Sequence, residues 1–318
     1  VWWDHRRFEG IENMEPDALN LKPDVMPEEE SSRPSILGGA ASVRAPFLTF
    51  KWSGQTHVGK VRKNNEDAFL ALTIDAEEVR YLGKIGEGRS ENCDYLFAVS
   101  DGMGGEKSGE FASKIAVEKI TRMMPRHFSQ RASGLPTGFG DILTDLFNRI
   151  HADLKKLGES YEECRNMGAT LSLGWFVPGW MYFAHIGDSR IYYLPAEGGM
   201  TQVTHDDSHV GWLRRKGEIN ERQQRTHPQK NMLSKALGAK CREADPQVGA
   251  VSCHPGDRFL FCSDGLNDGL WDRALQELIR EPRAALAALP VAQRLVQEAL
   301  SESGRDNITA VVVEIGGE

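Results

Sequence analysis

Three apolar runs in this sequence meet an aspartate at one end. Tyr95 to Ser100 runs into Asp101-Gly102-Met103-Gly104-Gly105, Phe259 to Ser263 runs into Asp264-Gly265, and Asp306-Asn307 stands directly before Ile308 to Ile315. A fourth stretch, Arg62-Lys63-Asn64-Asn65-Glu66-Asp67, places an arginine and two acids ahead of the strand-like Ala68 to Leu72. Each apolar run reads as a buried strand with a carboxylate at its rim. Glycine after Asp101 leaves the next carbonyl unshielded, so that side chain and backbone oxygen can face one hard cation, while Gly104 and Gly105 permit a tight turn. One Asp-Gly pair is ordinary turn chemistry. Several strand-edge acids, widely separated in sequence, imply convergence, and carboxylates packed together oppose one another's ionisation unless cations join them. No thiolate or imidazole set accompanies these acids, so the chemistry implied is oxygen ligation of Mn2+ or Mg2+ rather than zinc. No nucleophilic cysteine or serine motif is present, which favours direct attack by water over a covalent intermediate.

Positioning those acids requires a sheet-rich frame. Phe47 to Trp52 and Asp67 to Ile74 suit strands, with Gly54 to Asn65 as the loop that carries Arg62. Ser108 to Met124 has Phe111, Ala112, Ile115, Ala116, Ile120 and Met123 at helical spacing, and Asp141 to Leu157 has Ile142, Leu143, Leu146, Phe147, Ile150, Leu154 and Leu157 on one face. These stripes are core-facing, and Ser129 to Gly140 between them reads as a loop. Thr170 to Val177, Trp180 to Ile186 and Arg190 to Leu194 form an antiparallel meander joined by Pro178-Gly179 and Gly187-Asp188-Ser189. Asp188 is either an acid near the metals or an aspartate shaping its own turn. Asp272 to Arg280 and Val291 to Leu300 are amphipathic helices ahead of the last strand. This order gives an α+β architecture without the alternation of a nucleotide-binding fold, and the glycines near Asp101 lack the Gly-x-Gly-x-x-Gly fingerprint of a dinucleotide-binding oxidoreductase.

Of the net charge of −8, much lies in residues 1 to 30, where nine acids face three bases; the remainder holds 37 acids and 35 bases. That near-neutral balance argues against nucleic-acid binding. Five cysteines without a Cys-x-x-Cys pair suggest neither a disulfide framework nor a zinc site, and fit a reducing cytoplasm. His205, His209 and His227 lack zinc-site spacing and read as surface histidines. No apolar stretch approaches the ~18 residues of a membrane span. The sequence starts at Val1 rather than Met, which suggests trimming or a fragment. Residues 1 to 48 read as a mostly irregular extension whose Trp2, Trp3 and Phe8 are expected to dock on the domain formed by residues 49 to 318.

The sequence resembles the metal-dependent protein phosphatases of the type 2C family in their bacterial form. The matching segments are Gly59 to Asp67, Val99 to Gly105, Gly168-Ala169-Thr170, His185 to Arg190, Ser263-Asp264-Gly265 and Asp306-Asn307-Ile308-Thr309, in the family's order. The resemblance implies a four-layer α-β-β-α sandwich, with two antiparallel sheets face to face and helices outside. It implies two metal ions bridged by Asp101, with Asp264 and Asp306 on the first and Glu66 and the Gly102 carbonyl on the second. Asp67 would orient metal-bound water, and Arg62 would bind the phosphate. Thr204 to Gly238 resembles the helical flap of bacterial relatives, whose basic surface would suit an acidic phosphorylated substrate. Two departures stand out. Met103 replaces a histidine that in eukaryotic relatives protonates the leaving group, so the general acid is unassigned. Arg165-Asn166-Met167 precedes Gly168 where bacterial relatives carry an acid for a third ion, so Asp268 lacks a partner acid and a third ion is expected to be weak or absent. The implied function is a monomeric protein phosphatase acting on phosphoserine and phosphothreonine proteins, opposing a Ser/Thr kinase, with no nucleic-acid or membrane partner. The alternative, a catalytically silent phosphoprotein-binding module of the same fold, would be expected to have lost ligands, and the principal ones are all present.

Overall fold

The computed structural model describes residues 48–75, 77–91, 93–132 and 138–317. The extension expected over residues 1–48, and its expected docking, lie outside the described residues except for Leu48. Among the described residues five strands come first: Thr49–His57 (β1), Asp67–Ile74 (β2), Val79–Tyr81 (β3), Ile85–Arg89 (β4) and Asp94–Met103 (β5). Two long helices follow, Glu106–Ala132 (α1) and Phe139–Ser160 (α2). The meander is Gly168–Ala169 (β6), Leu171–Val177 (β7), Trp180–Ile186 (β8) and Arg190–Leu194 (β9), with Thr201–Gln202 (β10) after it. The flap holds His209–Arg215 (α3) and Glu221–Thr226 (α4), then Leu237–Gly238 (β11). Gln247–Ser252 (β12), Arg258–Cys262 (β13), Asp264–Gly269 (α5), Asp272–Arg280 (α6), Val291–Glu302 (α7) and Ile308–Gly316 (β14) complete the domain.

Among the described residues every strand pairing is antiparallel, and the strands form two sheets. One runs β10-β9-β13-β14-β1-β4; the other runs β11-β6-β5-β7-β8-β12, with β2 on β5 and β3 on β2. The two-residue period of the strands divides the core into three layers. Along β5, Tyr95, Phe97 and Val99 face the gap between sheets, whereas Leu96 and Ala98 face α1 and α2. Along β14, Val311, Val313 and Ile315 enter the same gap, and Ile308, Ala310 and Val312 meet the α5–α7 layer. Helix, sheet, sheet and helix are therefore stacked as the resemblance implied. Aromatic rings bind the two sheets: Phe50 stacks on Tyr95 at 4.5 Å, and Phe176 meets Phe97 and Phe259 edge-on at 5.8 and 5.2 Å. Gly174 makes room for this layer, since a Cβ there would lie 2.5 Å from the Phe261 ring.

Several boundaries differ from the sequence reading. β1 continues to His57 because Gly54 lies against the Phe69 ring and keeps register opposite Val311, so the Arg62 loop is shorter than Gly54 to Asn65. Ser129 to Gly140 is helical at both ends, α1 reaching Ala132 and α2 starting at Phe139; Pro125 removes one helical hydrogen bond without ending α1. Phe139 stacks on Tyr182 at 3.8 Å, which fixes that start. Phe111, expected on the core face of α1, is exposed. No helix among the described residues is long and apolar enough to cross a membrane.

Phe176 touches aromatic partners in both sheets. Phe176→Ala should lower unfolding free energy by about 3–5 kcal/mol, the usual cost of deleting a buried aromatic side chain. Urea denaturation measures this, and a loss below about 1 kcal/mol would show that the intersheet layer repacks freely.

Candidate active site

The acids gather at one end of the sandwich. Asp67 begins β2 and stands directly opposite Asp101 of β5 in the ladder, so their side chains lie on the same face of neighbouring strands. Asp67 Oδ2 accepts hydrogen bonds from Ser263 Oγ at 2.6 Å and Thr309 Oγ1 at 2.7 Å, both from the other sheet's chain ends. Its Oδ1 is buried without a protein partner. Burial raises the Asp67 pKa to about 6 against the opposing effect of these two hydroxyls. Thr170 fixes Asp101 from the backbone: Asp101 N donates to Thr170 Oγ1 at 3.0 Å, and Thr170 N to the Asp101 carbonyl at 2.9 Å. Burial, then the charges of Asp67, Asp264, Asp188 and Asp306, push Asp101 well above the usual carboxylate range.

Asp264 and Asp306 come from adjacent chain ends of the other sheet. Gly265 lets them approach, for a Cβ there would fall 1.9 Å from the Asn307 carbonyl oxygen. Asp264 Oδ1 is also buried and unpartnered, and its pKa is raised well above the normal value by burial and by Asp188, Asp306, Asp268 and Asp67. Asp306 Oδ2 accepts from Arg62 Nη2 at 2.8 Å. Arg62 is half exposed (47%), so it is accessible from solvent while lying in the field of Asp306, Glu66 and Asp101. Asn307 anchors the Arg62 loop: its Oδ1 accepts from Glu66 N at 2.7 Å, and its Nδ2 donates to the carbonyls of Val58 and Asn64.

Glu66 and the Gly102 carbonyl meet over Gly109 in the first turns of α1. A Cβ on Gly109 would lie 2.9 Å from the Gly102 oxygen and 3.0 Å from Glu66 Oε1. These two oxygens therefore border one small volume that only a glycine in the helix leaves open. The sequence reading missed Gly109, as it missed the roles of Ser263, Thr309 and Asn307; a glycine inside an otherwise good helix is the signal that could have marked a close approach.

Among the described residues, no three acidic, histidine or cysteine side chains stand in a ready coordination cluster; Asp306 is turned to Arg62 and Asp268 to Lys230. The donor set nevertheless fits hard divalent cations. It is all oxygen, it includes two buried carboxylate oxygens without partners, and it includes the Glu66 and Gly102 oxygens above Gly109. Asp188 joins the group: burial, then Asp206, raises its pKa to about 7 against the pull of Arg190.

The flap differs from its expected solvated basic face. Arg214 pairs with Asp272 at 2.6 Å, Arg225 with Glu221 at 3.1 Å, Lys230 with Asp268 at 2.5 Å and Lys235 with Asp245 at 2.5 Å. Four of its cations thus pair with this chain's own acids, while Arg215, Lys216 and Arg222 are exposed. His205, His209 and His227 are half-buried rather than surface residues, and His185 is fully buried, its pKa pushed down to about 4 by desolvation. As a neutral ring, His185 donates from Nε2 to the Gly187 and His205 carbonyls and accepts from Ser172 at Nδ1, pinning the β8–β9 turn to the flap's start.

The sequence profile of the family described as protein phosphatase 2C matches residues 84–303. That span excludes Arg62, Glu66, Asp67 and Asp306, whose placement rests on the geometry above. The serine/threonine protein phosphatase PstP of Mycobacterium tuberculosis is 31% identical over 271 residues, covering 84% of this chain and 45% of that protein. This chain therefore spans about half the length of that relative. The serine/threonine phosphatase stp of Listeria innocua is 31% identical over 244 residues, 76% of this chain and 93% of its own length. A crystal structure of the PstP catalytic domain in complex with two manganese ions aligns with a TM-score of 0.64 at 28% identity, over 85% of this chain and 99% of that one.

Two outcomes are expected from this geometry. Gly109→Ala should drive a methyl into Glu66 and the Gly102 carbonyl and weaken Mn2+ binding at least ~10-fold, measured by calorimetric titration; unchanged affinity would remove Glu66 and Gly102 from the ligand set. Carboxylates whose folded pKa exceeds the unfolded value bind protons more tightly in the folded state. The cation-free protein therefore loses their contribution as pH rises through about 6 and about 7, the values of Asp67 and Asp188. His185, with its lowered pKa, slopes the other way as pH rises from about 4. Comparison with a variant isolates the acids: Asp101→Asn in chelator at pH 7.5 should melt about 2–8 °C higher than wild type, corresponding to ~1–2 kcal/mol of relieved repulsion. Equal melting temperatures would mean that the acids do not repel.

Proposed function

Because the chain belongs to the protein phosphatase 2C family, we propose that it hydrolyses phosphoserine and phosphothreonine esters in proteins by attack of water on phosphorus, using two Mn2+ or Mg2+ ions. The observation that carries this reading is the pair of buried, unpartnered carboxylate oxygens, Asp67 Oδ1 and Asp264 Oδ1, in a group of acids drawn from both sheets. Burying so much negative charge is unfavourable unless cations complete it.

Asp101 would be shared between the ions, with Asp264 and Asp306 on one side and Glu66 with the Gly102 carbonyl on the other. When bound, such ions lower the pKa of water and offset charge on the phosphoryl oxygens. The chain's own groups do the rest. Ser263 and Thr309 hold one oxygen of Asp67 so that the other is left to accept a hydrogen bond from the attacking water, which would fix its orientation. Arg62 presents a planar set of N–H donors at the exposed edge of the site, suited to phosphate oxygens, while Asp306 steadies it. Met103, half-buried after Gly102, has a thioether that cannot protonate the leaving oxygen. Five free cysteines support a reducing, cytoplasmic setting, where a Ser/Thr kinase would supply the substrates of this monomer.

With Mn2+, the protein should hydrolyse para-nitrophenyl phosphate and a phosphothreonine peptide, and excess EDTA should abolish both. Arg62→Ala should lower kcat/KM for the peptide by about 10–100-fold, in line with ~1.5–3 kcal/mol for charged hydrogen bonds. Turnover that survives chelation would rule out the metal-dependent reading.

A further inference from the structure

Lys230 sits on a flap turn that closes on itself. Gln229 N donates to His227 Nδ1 at 3.1 Å, and Lys230 N donates to the His227 carbonyl at 3.1 Å. From this turn its ammonium reaches Asp268 Oδ2 at 2.5 Å. Asp268 lies on α5 four residues after Asp264, hence on the same helical face. Lys230, Asp188, Asp264 and Asp268 line one polar cleft between the flap and α5. The other bases lining it are committed elsewhere: Arg190 to Asp206, Arg214 to Asp272 and Arg225 to Glu221. Among the bases lining the cleft, Lys230 is the one whose ion pair is with an acid of α5.

The carboxylates lining this cleft are Asp188, Asp206, Glu221, Asp264 and Asp268, and the segment 165–167, where the resemblance places a partner acid, lies by Gly104. The Met167 side chain is buried in the core, and the Asn166–Met167 backbone packs on Gly104, where a Cβ would lie 2.9 Å from Met167 Cα. Arg165, beside them, is exposed. A third divalent ion at Asp268 would thus meet an ammonium already seated on that carboxylate. The residues present do not fit that ion.

We infer that Lys230 is a tethered counter-ion that takes the place of a third divalent ion at Asp268, so that this chain holds two ions and no more, and that the same ion pair fixes the flap against α5. This inference rests on the two-ion reading above, and it concerns charge. An arginine at position 230 preserves it; a glutamine of similar length removes it.

Equilibrium dialysis against Mn2+, with bound metal counted per chain, tests it. Wild type and Lys230→Arg should each hold two ions, Lys230→Gln should hold three, and Lys230→Gln combined with Asp268→Asn should return to two. Amide hydrogen exchange over residues 227–232 should quicken at least several-fold in Lys230→Gln and recover in Lys230→Arg. Three ions in wild type, two in Lys230→Gln, or three in Lys230→Arg would each overturn the inference. No bound ion in wild type would instead bring down the two-ion reading, and this inference with it.

Discussion

The hydrogen bonds from Ser263 and Thr309 to one oxygen of Asp67 are the contact on which the site depends. They join residues 196 and 242 positions apart and connect the ends of two different sheets. Face-to-face sheets held by apolar side chains alone can slide, because hydrophobic contact has little directionality. A buried carboxylate that must find two hydroxyl donors permits one offset only. Around this stitch the frame closes: Thr309 Oγ1 also meets Thr56 Oγ1 at 2.8 Å, Thr56 receives Asn65 Nδ2 at 2.8 Å, and Asn307 holds the loop bearing Glu66. Position of the sheets and position of the acids are thus set by the same groups.

That arrangement opposes stability where it serves chemistry. Burial first, and then neighbouring acids, push Asp67, Asp101, Asp188 and Asp264 above the ordinary carboxylate range. The aromatic layer around Phe176 and the two flanking helix layers provide the cohesion against which these acids can be held close. The chain relieves part of the tension itself, by setting Arg62 on Asp306 and Lys230 on Asp268. Such a site is poised for cations, since each charge brought in removes several unfavourable pairings at once.

Long apolar strands and striped helices were legible in the sequence because burial imposes a period on them: β5, β7, β8, β13 and β14, and the inner faces of α2 and α7, stand where the pattern puts them. β3, β4, β6, β11 and β12 were not, being two to six residues long and rich in glycine or polar residues, so that pairing partners rather than propensity define them. The acids were legible as strand-edge residues, but the groups that aim them were less so. Thr309 and Asn307 appear in a matching segment without any sign of what they contact, and Gly109 matters through the Gly102 carbonyl and through Glu66, the latter more than forty residues upstream. Charge was read least well. Arg214, Arg225 and Lys230 look like a solvated basic face until their partners Asp272, Glu221 and Asp268 are placed in space.

Those pairings change how the flap can contribute to recognition. A flap with unpaired cations would attract any acidic phosphoprotein through long-range charge. Here Arg190 and Asp206 form a buried two-point pair, Gln224 also donates to Asp206, and Arg225 lies 4.0 Å over the Trp271 ring. The flap is held to β9, α5 and the start of α6 by directional contacts, each of which would have to break before it could swing. Under the proposed function, a phosphoryl group would meet the acids beside Arg62, whose half-exposed guanidinium pairs with Asp306.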